Sequence, residues 1–211
     1  MPDRQRDERR GTRGPARSRT PGEIADAAVR LADAAGLDAV TVRSVAGRLG
    51  LAPAALYRYH PSKDALVEAA ADRAMDDLAL PPVTGELAAD LLALVRAQID
   101  VLRAHPWLMD TLPGIRPGAR AIAVLEQGLV IMDDTTAPSS RKLELLGVLT
   151  GIATLFARSG GAAAPRTLEA LVAAAPTHPQ LAAAFREGAG PSAPDELLAR
   201  TTKALVRAFL D

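Results

Sequence analysis

Two short helical patterns around a tight turn constrain the fold of this chain more than any other feature. Thr41 stands where an N-cap hydroxyl belongs, and apolar residues at helical spacing continue to Leu49, where Gly50 ends the pattern. Pro53 is favourable only in a first helical turn, so it opens a second short helix that extends to about Tyr59. The spacing predicts a helix-turn-helix, although an ordinary corner of a helical bundle has the same pattern.

The rest of the chain also carries helical periodicity, and we expect an all-α fold. Aromatic residues make up 3% of the sequence, and runs of β-branched residues are nearly absent. There is no cysteine, which excludes disulfides, a thiolate zinc site and a thiol nucleophile. The remaining predicted helices cover about residues 21–35, 63–80, 85–105, 117–132, 140–158, 166–174, 179–187 and 195–210, and Thr84 is the predicted cap of the third of these.

The charges are balanced in total but not along the chain. Lysine and arginine number 25, as do aspartate and glutamate, yet residues 1–63 hold 12 basic and 7 acidic side chains. A basic front hints at a nucleic acid or another acidic surface as its partner. Residues 1–20 include seven arginines and little to bury, which predicts a disordered basic arm, either a DNA contact or a solvated tail. No signal peptide or membrane-spanning run is visible, so we expect a cytoplasmic protein.

The stretch from Ile24 to Leu66 resembles the DNA-binding domain of TetR-family transcriptional regulators. The resemblance rests on Ala-Gly-Leu after the first helix, Thr-Val-Arg at the start of the second, Leu-Tyr-Arg-Tyr in the third and Ser-Lys-Asp-Ala-Leu at the start of the fourth. A weaker similarity, at Arg103 to Leu108 and around Leu125-Glu126, is to the C-terminal domain of the tetracycline-repressor branch. After the basic arm predicted from composition (1–20), the two resemblances imply a three-helix DNA-binding domain (21–66) and, after a linking helix, a larger ligand-binding and dimerisation domain (67–211).

The resemblance also implies that a homodimer places two recognition helices in successive major grooves of a palindromic operator. Ala52 departs from the family, which frequently has a serine cap before that helix. Positions that usually grip phosphates are matched by Thr41, Tyr57, Tyr59 and Lys63. Base-facing or base-reading positions are matched by Arg43, Pro53, Ala54 and Ala55, and Val42, Arg58 and His60 complete the predicted DNA-binding set.

Bulky side chains are rare in the second half of the chain, and they either line a ligand cavity or pack a core. The predicted ligand-binding residues are His105, Trp107, Met109, Arg116, Gln127, Met132 and Phe156, with Arg120 as a further polar candidate. By resemblance the helices near 140–158 and 195–210 form the dimer interface, and the alternative is that they close a monomeric core.

No catalytic motif, phosphate-binding loop or metal-ligand spacing is present in the sequence. Each of the three histidines directly precedes a proline, and no two histidines share a helix face at metal-ligand spacing. We therefore expect no enzyme, no cofactor and no metal. The sequence predicts a ligand-responsive repressor released from its operator by a small molecule; the alternative is a helical small-molecule-binding protein without a DNA role.

Overall fold

Helices are the only regular elements in the part of the chain that the computed structural model describes, residues 19–159, 165–187 and 193–210. The predicted arm up to residue 18 and most of the predicted loops at 159–165 and 188–194 lie outside these residues. The α-helices are α1 (Pro21–Ala35), α2 (Val42–Leu49), α3 (Pro53–Tyr57), α4 (Lys63–Met75), α5 (Leu87–Ala104), α6 (Leu108–Thr111), α7 (Ala119–Ile131), α8 (Ser139–Ser159), α9 (Pro165–Ala174), α10 (Pro179–Arg186) and α11 (Pro194–Leu210). The all-α prediction is confirmed.

Local hydrogen bonds define the ends of the first helices, and α1 to α3 form what we call the N-terminal bundle. Thr20 Oγ1 accepts from the Glu23 N–H at 3.1 Å, and the Glu23 carboxylate accepts from the Thr20 N–H at 2.8 Å. Thr41 and Ser44 repeat this reciprocal arrangement at the start of α2. Gly50 ends α2 with a φ of 67°, in the left-handed region that favours glycine. The predicted helix-turn-helix is therefore present.

Helices α3 and α4 end earlier than predicted. Helix α3 stops at Tyr57, because the N–H groups of Tyr59 and His60 both donate to the Leu56 carbonyl, each at 2.9 Å, and close the turn before a proline. Helix α4 stops at Met75 rather than near residue 80, and tight turns follow. The predicted apolar face nevertheless extends past the helix end, since Leu78 is fully buried.

Helices α5 to α11 form the C-terminal bundle. Its centre is α5, which packs against α7, α8 and α11, while α9 and α10 pack against each other. The prediction that Thr84 caps α5 is wrong. Asp90, inside the helix, accepts instead from Thr84 Oγ1 at 2.7 Å and from the N–H groups of Thr84 and Gly85, which holds the pKa of the Asp90 carboxyl below its usual value.

Helix α4 connects the two bundles. It packs against α1 on one side and against α7 on the other. Many of its buried side chains are alanines, at positions 70, 71 and 74, and α1 likewise buries alanines at 25, 27, 28 and 32. Such small side chains let the two helices approach closely without a large interlocking side chain between them.

Candidate DNA-binding surface and ligand cavity

Helices α2 and α3 present a solvent-exposed surface of mixed polarity, with arginines on α2 and small apolar residues on α3. Leu56 is fully buried and anchors α3 within the N-terminal bundle. Pro53, Ala54 and Tyr57 of the same helix are exposed to solvent. Tyr57 is 53% exposed, a high value for an aromatic side chain, and it leaves a phenolic hydroxyl available to a partner. Exposed members of the predicted DNA-binding set are Thr41, Arg43, Pro53, Ala54, Tyr57, Arg58 and Lys63.

Four residues of the predicted set are less accessible. Val42 and His60 are each only 8% exposed, so neither side chain is presented to a partner, contrary to the expectation. Val42 lies on the inner face of α2, and the His60 ring is buried with no hydrogen bond to Nε2 among the described residues. Burial lowers the pKa of the His60 imidazole and so favours its neutral form. Ala55 and Tyr59 are half-buried.

The start of α4 offers the chemistry of an anion contact beside this surface. Ser62 Oγ accepts from the Ala65 N–H at 3.0 Å and caps the helix, and the exposed Lys63 follows as the first helical residue. The exposed amides and the dipole of a helix N-terminus attract anions such as phosphate, and the lysine adds a full charge.

A mainly apolar cavity of about 200 Å³ lies between α4, α5, α7 and α8. On one wall Thr150 Oγ1 donates to Gln98 Oε1 at 3.0 Å, while Gln98 Nε2 makes a long bond of 3.4 Å to a backbone carbonyl. The side chains that line it include Ala71, Asp72, Met75, Gln98, Val101, Leu102, Leu112, Ile115, Arg116, Val124, Leu125, Thr150 and Thr154. An apolar lining with a few convergent polar groups is typical of a small-molecule site.

Of the seven predicted ligand-binding residues, Arg116 lines this cavity and the other six do not. His105 and Trp107 hydrogen-bond to Asp33 of α1, and the Gln127 amide donates to the Pro81 carbonyl. Met132 and Phe156 are buried in the core, and Met109 packs against it half-buried. Arg120 approaches Asp76 at the edge of α4.

Sequence reasoning missed the polar lining residues Asp72, Gln98, Thr150 and Thr154. One signal was available, because Gln98 interrupts the apolar face of α5 between Leu94 and Leu102, and a polar residue buried in such a face needs a partner. Nothing in the sequence indicates that Thr150 of α8 supplies that partner.

A close contact joins α4 to the start of α7 at one edge of the cavity. The Asp72 carboxylate accepts from the Arg120 N–H at 3.4 Å and lies directly over Gly118. A Cβ atom placed on Gly118 would be 2.0 Å from Asp72 Oδ1, so only glycine fits beneath this side chain. Any displacement of α7 at this point therefore also acts on α4.

Residues 24–70 match the family model of bacterial regulatory proteins of the tetR family, and the match contains α2, α3 and their turn. The N-terminal part of the chain is therefore similar to the DNA-binding domain of the tetR family. The chain is 38% identical over 104 residues to the HTH-type transcriptional repressor DrrR1 of Streptomyces coeruleorubidus. The alignment covers 48% of this chain and 38% of the repressor, so the chain matches less than half the length of that relative.

Solved structures share the fold of this chain over nearly its whole length. Apo ActR from Streptomyces coelicolor superimposes with a TM-score of 0.78 at 20% identity, covering 92% of this chain and 95% of ActR. ActR in complex with actinorhodin gives a TM-score of 0.75 at 21% identity, covering 91% and 97%. At these identities the similarity establishes the fold.

Two further features of the described residues concern membranes and metals. Among the described residues, no helix combines the length and the apolar content needed to cross a bilayer. In the same part of the chain, no group of three or more histidine, aspartate or glutamate side chains could hold a metal ion.

Proposed function

We propose that this protein is a cytoplasmic, dimeric transcriptional repressor that leaves its operator when a small molecule occupies the cavity. One observation carries the proposal: a single helix, α4, bears the exposed Lys63 at its first turn and contributes Asp72 and Met75 to the cavity wall. The DNA-binding domain would comprise residues 21–66, and the ligand-binding and dimerisation domain residues 67–211.

On the DNA side, α3 would act as the recognition helix. Its outer residues, Pro53 and Ala54, are small and apolar, and they suit thymine methyl groups rather than hydrogen bonding to bases. Arg43 of α2 has a guanidinium fork that can bind guanine bidentately, and Arg58 lies exposed just beyond α3. Thr41, Tyr57 and Lys63 would fix the register on phosphates.

On the ligand side, the cavity suits an apolar molecule that carries a hydrogen-bond acceptor and a group able to pair with Arg116. Gln98 has N–H capacity to spare, because its one bond from Nε2 is long. Actinorhodin, which is bound in a solved structure of ActR, supplies a first probe. A ligand in contact with Asp72 and Met75 would displace α4 and so change the position of the DNA-binding surface.

The proposed dimer interface lies on α8 and α11. Helix α8 exposes Leu143 and Val148, 49% and 39% accessible, and its Gly147 and Gly151 leave open space where a second helix could approach. Along α11, Thr201, Leu205 and Phe209 form a half-buried stripe. Sedimentation equilibrium on the full chain tests this proposal: we expect a dimer, and Val148→Glu should yield monomers. A monomeric wild-type protein would indicate that these faces of α8 and α11 only pack within the core of a single chain.

Fluorescence polarisation with DNA from upstream of the protein's own gene tests the DNA-binding function. We expect binding that prefers this DNA over a shuffled sequence and that weakens steeply as salt rises, because phosphate contacts release counterions. Equal binding of both sequences, or no dependence on salt, would favour a small-molecule-binding protein without a regulatory role.

Thermal melting in the presence of actinorhodin tests the ligand site. A molecule that binds the native state alone raises the melting temperature, and Thr154→Trp, which fills the cavity, should abolish that rise. A rise that persists in Thr154→Trp would place the binding outside the cavity.

A further inference from the structure

A cluster of polar groups, in which two buried rings meet two solvent-accessible carboxylates, ties the N-terminal bundle to the C-terminal bundle along a path that does not pass through α4. The Asp33 carboxylate, near the end of α1, lies 2.8 Å from His105 Nδ1 and accepts from Trp107 Nε1 at 2.7 Å, both at Oδ1. On the other side of the ring, His105 Nε2 lies 3.2 Å from Asp77 Oδ2. The His105 and Trp107 rings stand edge to face, with centroids 6.3 Å apart.

The two rings of the cluster are buried, so their contacts with the carboxylates depend on protein geometry. Trp107 is 6% exposed and the His105 side chain 8%, so their ring N–H groups depend on protein acceptors rather than water. Helix α1 also contacts α4, through buried alanines and through an exposed ion pair in which Arg73 Nε donates to Asp26 Oδ1 at 2.7 Å. The bonds to Asp33 differ because the rings that make them are buried, and hydrogen bonds weaken steeply when the donor and acceptor are misaligned.

The cluster lies one helical turn from the ligand cavity along α5. His105 is the C-cap residue of α5, and its N–H donates to the carbonyl of Val101, a residue of the cavity wall, at 2.9 Å. A shift of α5 at the cavity is therefore carried within one helical turn to the ring that holds Asp33.

We propose that Asp33, His105 and Trp107 form an interdomain joint that fixes the angle of the DNA-binding domain relative to the ligand-binding domain. This inference rests on the proposed function for its biological meaning. In the joint, His105 and Trp107 are positioning residues: they act on DNA binding through Asp33 and α1, without touching DNA or ligand.

Spin-label distance measurements on the full chain test the joint without DNA or ligand. The chain has no cysteine, so Arg48→Cys on α2 and Asp133→Cys after α7, both exposed, take one label each. Dilution with unlabelled chain removes distances between protomers. We expect a narrow distance distribution in the parent, and a distribution about twofold broader in Asp33→Ala and Trp107→Phe, because the two bundles then sample more relative orientations.

Asp110→Ala is the matched control, since it deletes a carboxylate next to the joint whose partner, Arg158, belongs to the same bundle. Its distribution should keep the parent's width. Circular dichroism melting verifies that each variant is folded, and Trp107→Phe, which keeps the aromatic ring, guards against a loss of folding in Asp33→Ala.

The two possible failures are distinguishable. An unchanged width in Asp33→Ala and Trp107→Phe, or equal broadening in Asp110→Ala, would overturn the joint even if polarisation shows specific DNA binding. Broadening confined to Asp33→Ala and Trp107→Phe supports the joint, and a lack of specific DNA binding would then contradict the proposed function alone.

Discussion

The two bundles hold their helix ends in different ways. In the N-terminal bundle, α1 and α2 begin with side-chain caps from their own sequence, at Thr20 and Thr41, whereas α3 begins after Ala52 without one. In the C-terminal bundle no side chain caps the start of α5, α6, α7 or α10 locally, and the start of α7 is held instead by Asp72 of α4. The starts of α1 and α2 are thus held by residues next to them in the sequence. Helix ends that depend on other helices can move when a ligand displaces those helices.

The contact between Asp72 and Gly118 should give the largest effect. Gly118→Ala places a methyl group in conflict with the Asp72 carboxylate, and we expect a loss of about 3 kcal/mol in the free energy of unfolding, as for an overpacked site. Urea unfolding measures this loss, and Asp72→Ala in the same chain should recover part of it.

Gly47→Ala, in the interior of α2, is the opposite case. Nothing lies within 4 Å of the added methyl group, so alanine should stabilise the helix by about 0.5 to 1 kcal/mol. If Gly118→Ala and Gly47→Ala were destabilising to the same degree, the close contact at Gly118 would not distinguish it from Gly47.

Arg43 should give the next largest effect, in DNA binding rather than folding. We expect Arg43→Ala to lose about 2 kcal/mol of binding free energy at one base pair, while Lys63→Ala weakens all sequences alike. Arg48→Ala, an exposed arginine on the same helix, is the control for the loss of one positive charge. Polarisation titrations against single-base operator variants measure the pattern, and equal losses on all of them for Arg43→Ala would contradict its assignment.

A smaller effect should follow from the helix caps of the N-terminal bundle. Thr41→Ala removes the hydroxyl that accepts from the Ser44 N–H and should cost about 1 kcal/mol of stability. At α3 the cap position is occupied by Ala52, with extended backbone and no side-chain bond, so Ala52→Ser should add up to about 1 kcal/mol. Urea unfolding tests both, and a stability unchanged in both would show that local caps do not determine these ends.

The smallest effect expected is on pH dependence. Because the folded-state pKa of His60 lies below its unfolded value, the unfolded chain binds more protons, and stability should fall as pH drops from about 7.5 to 5.5, through the ordinary histidine pKa. His60→Leu should reduce that slope. The exposed His178 provides the matched control as His178→Gln, and an equal change of slope in both variants would remove burial as the cause.

The parts of the fold that depend on nearby residues could be predicted from the sequence. Thr41, Gly50 and Pro53 define the helix-turn-helix within a few residues of themselves, and the structure places them as expected. Thr84 was misassigned because its partner, Asp90, lies inside the helix that Thr84 was expected to cap.

The cavity could not be predicted, because it depends on which helix faces meet. Gln98 and Thr150 meet across 52 positions of sequence, and no local pattern pairs them. His105 and Trp107 were identified as important residues but were expected to bind a ligand, since nothing in the sequence shows that Asp33, more than 70 positions away, is their partner.

Trp107 is the only tryptophan in the chain, and it lies in the joint between the bundles. Its indole N–H donates to a carboxylate of the other bundle, so its fluorescence responds to the separation of the two bundles. Unlabelled wild-type protein therefore carries its own optical reporter, and emission recorded during a titration with DNA or a candidate ligand follows the joint directly in solution.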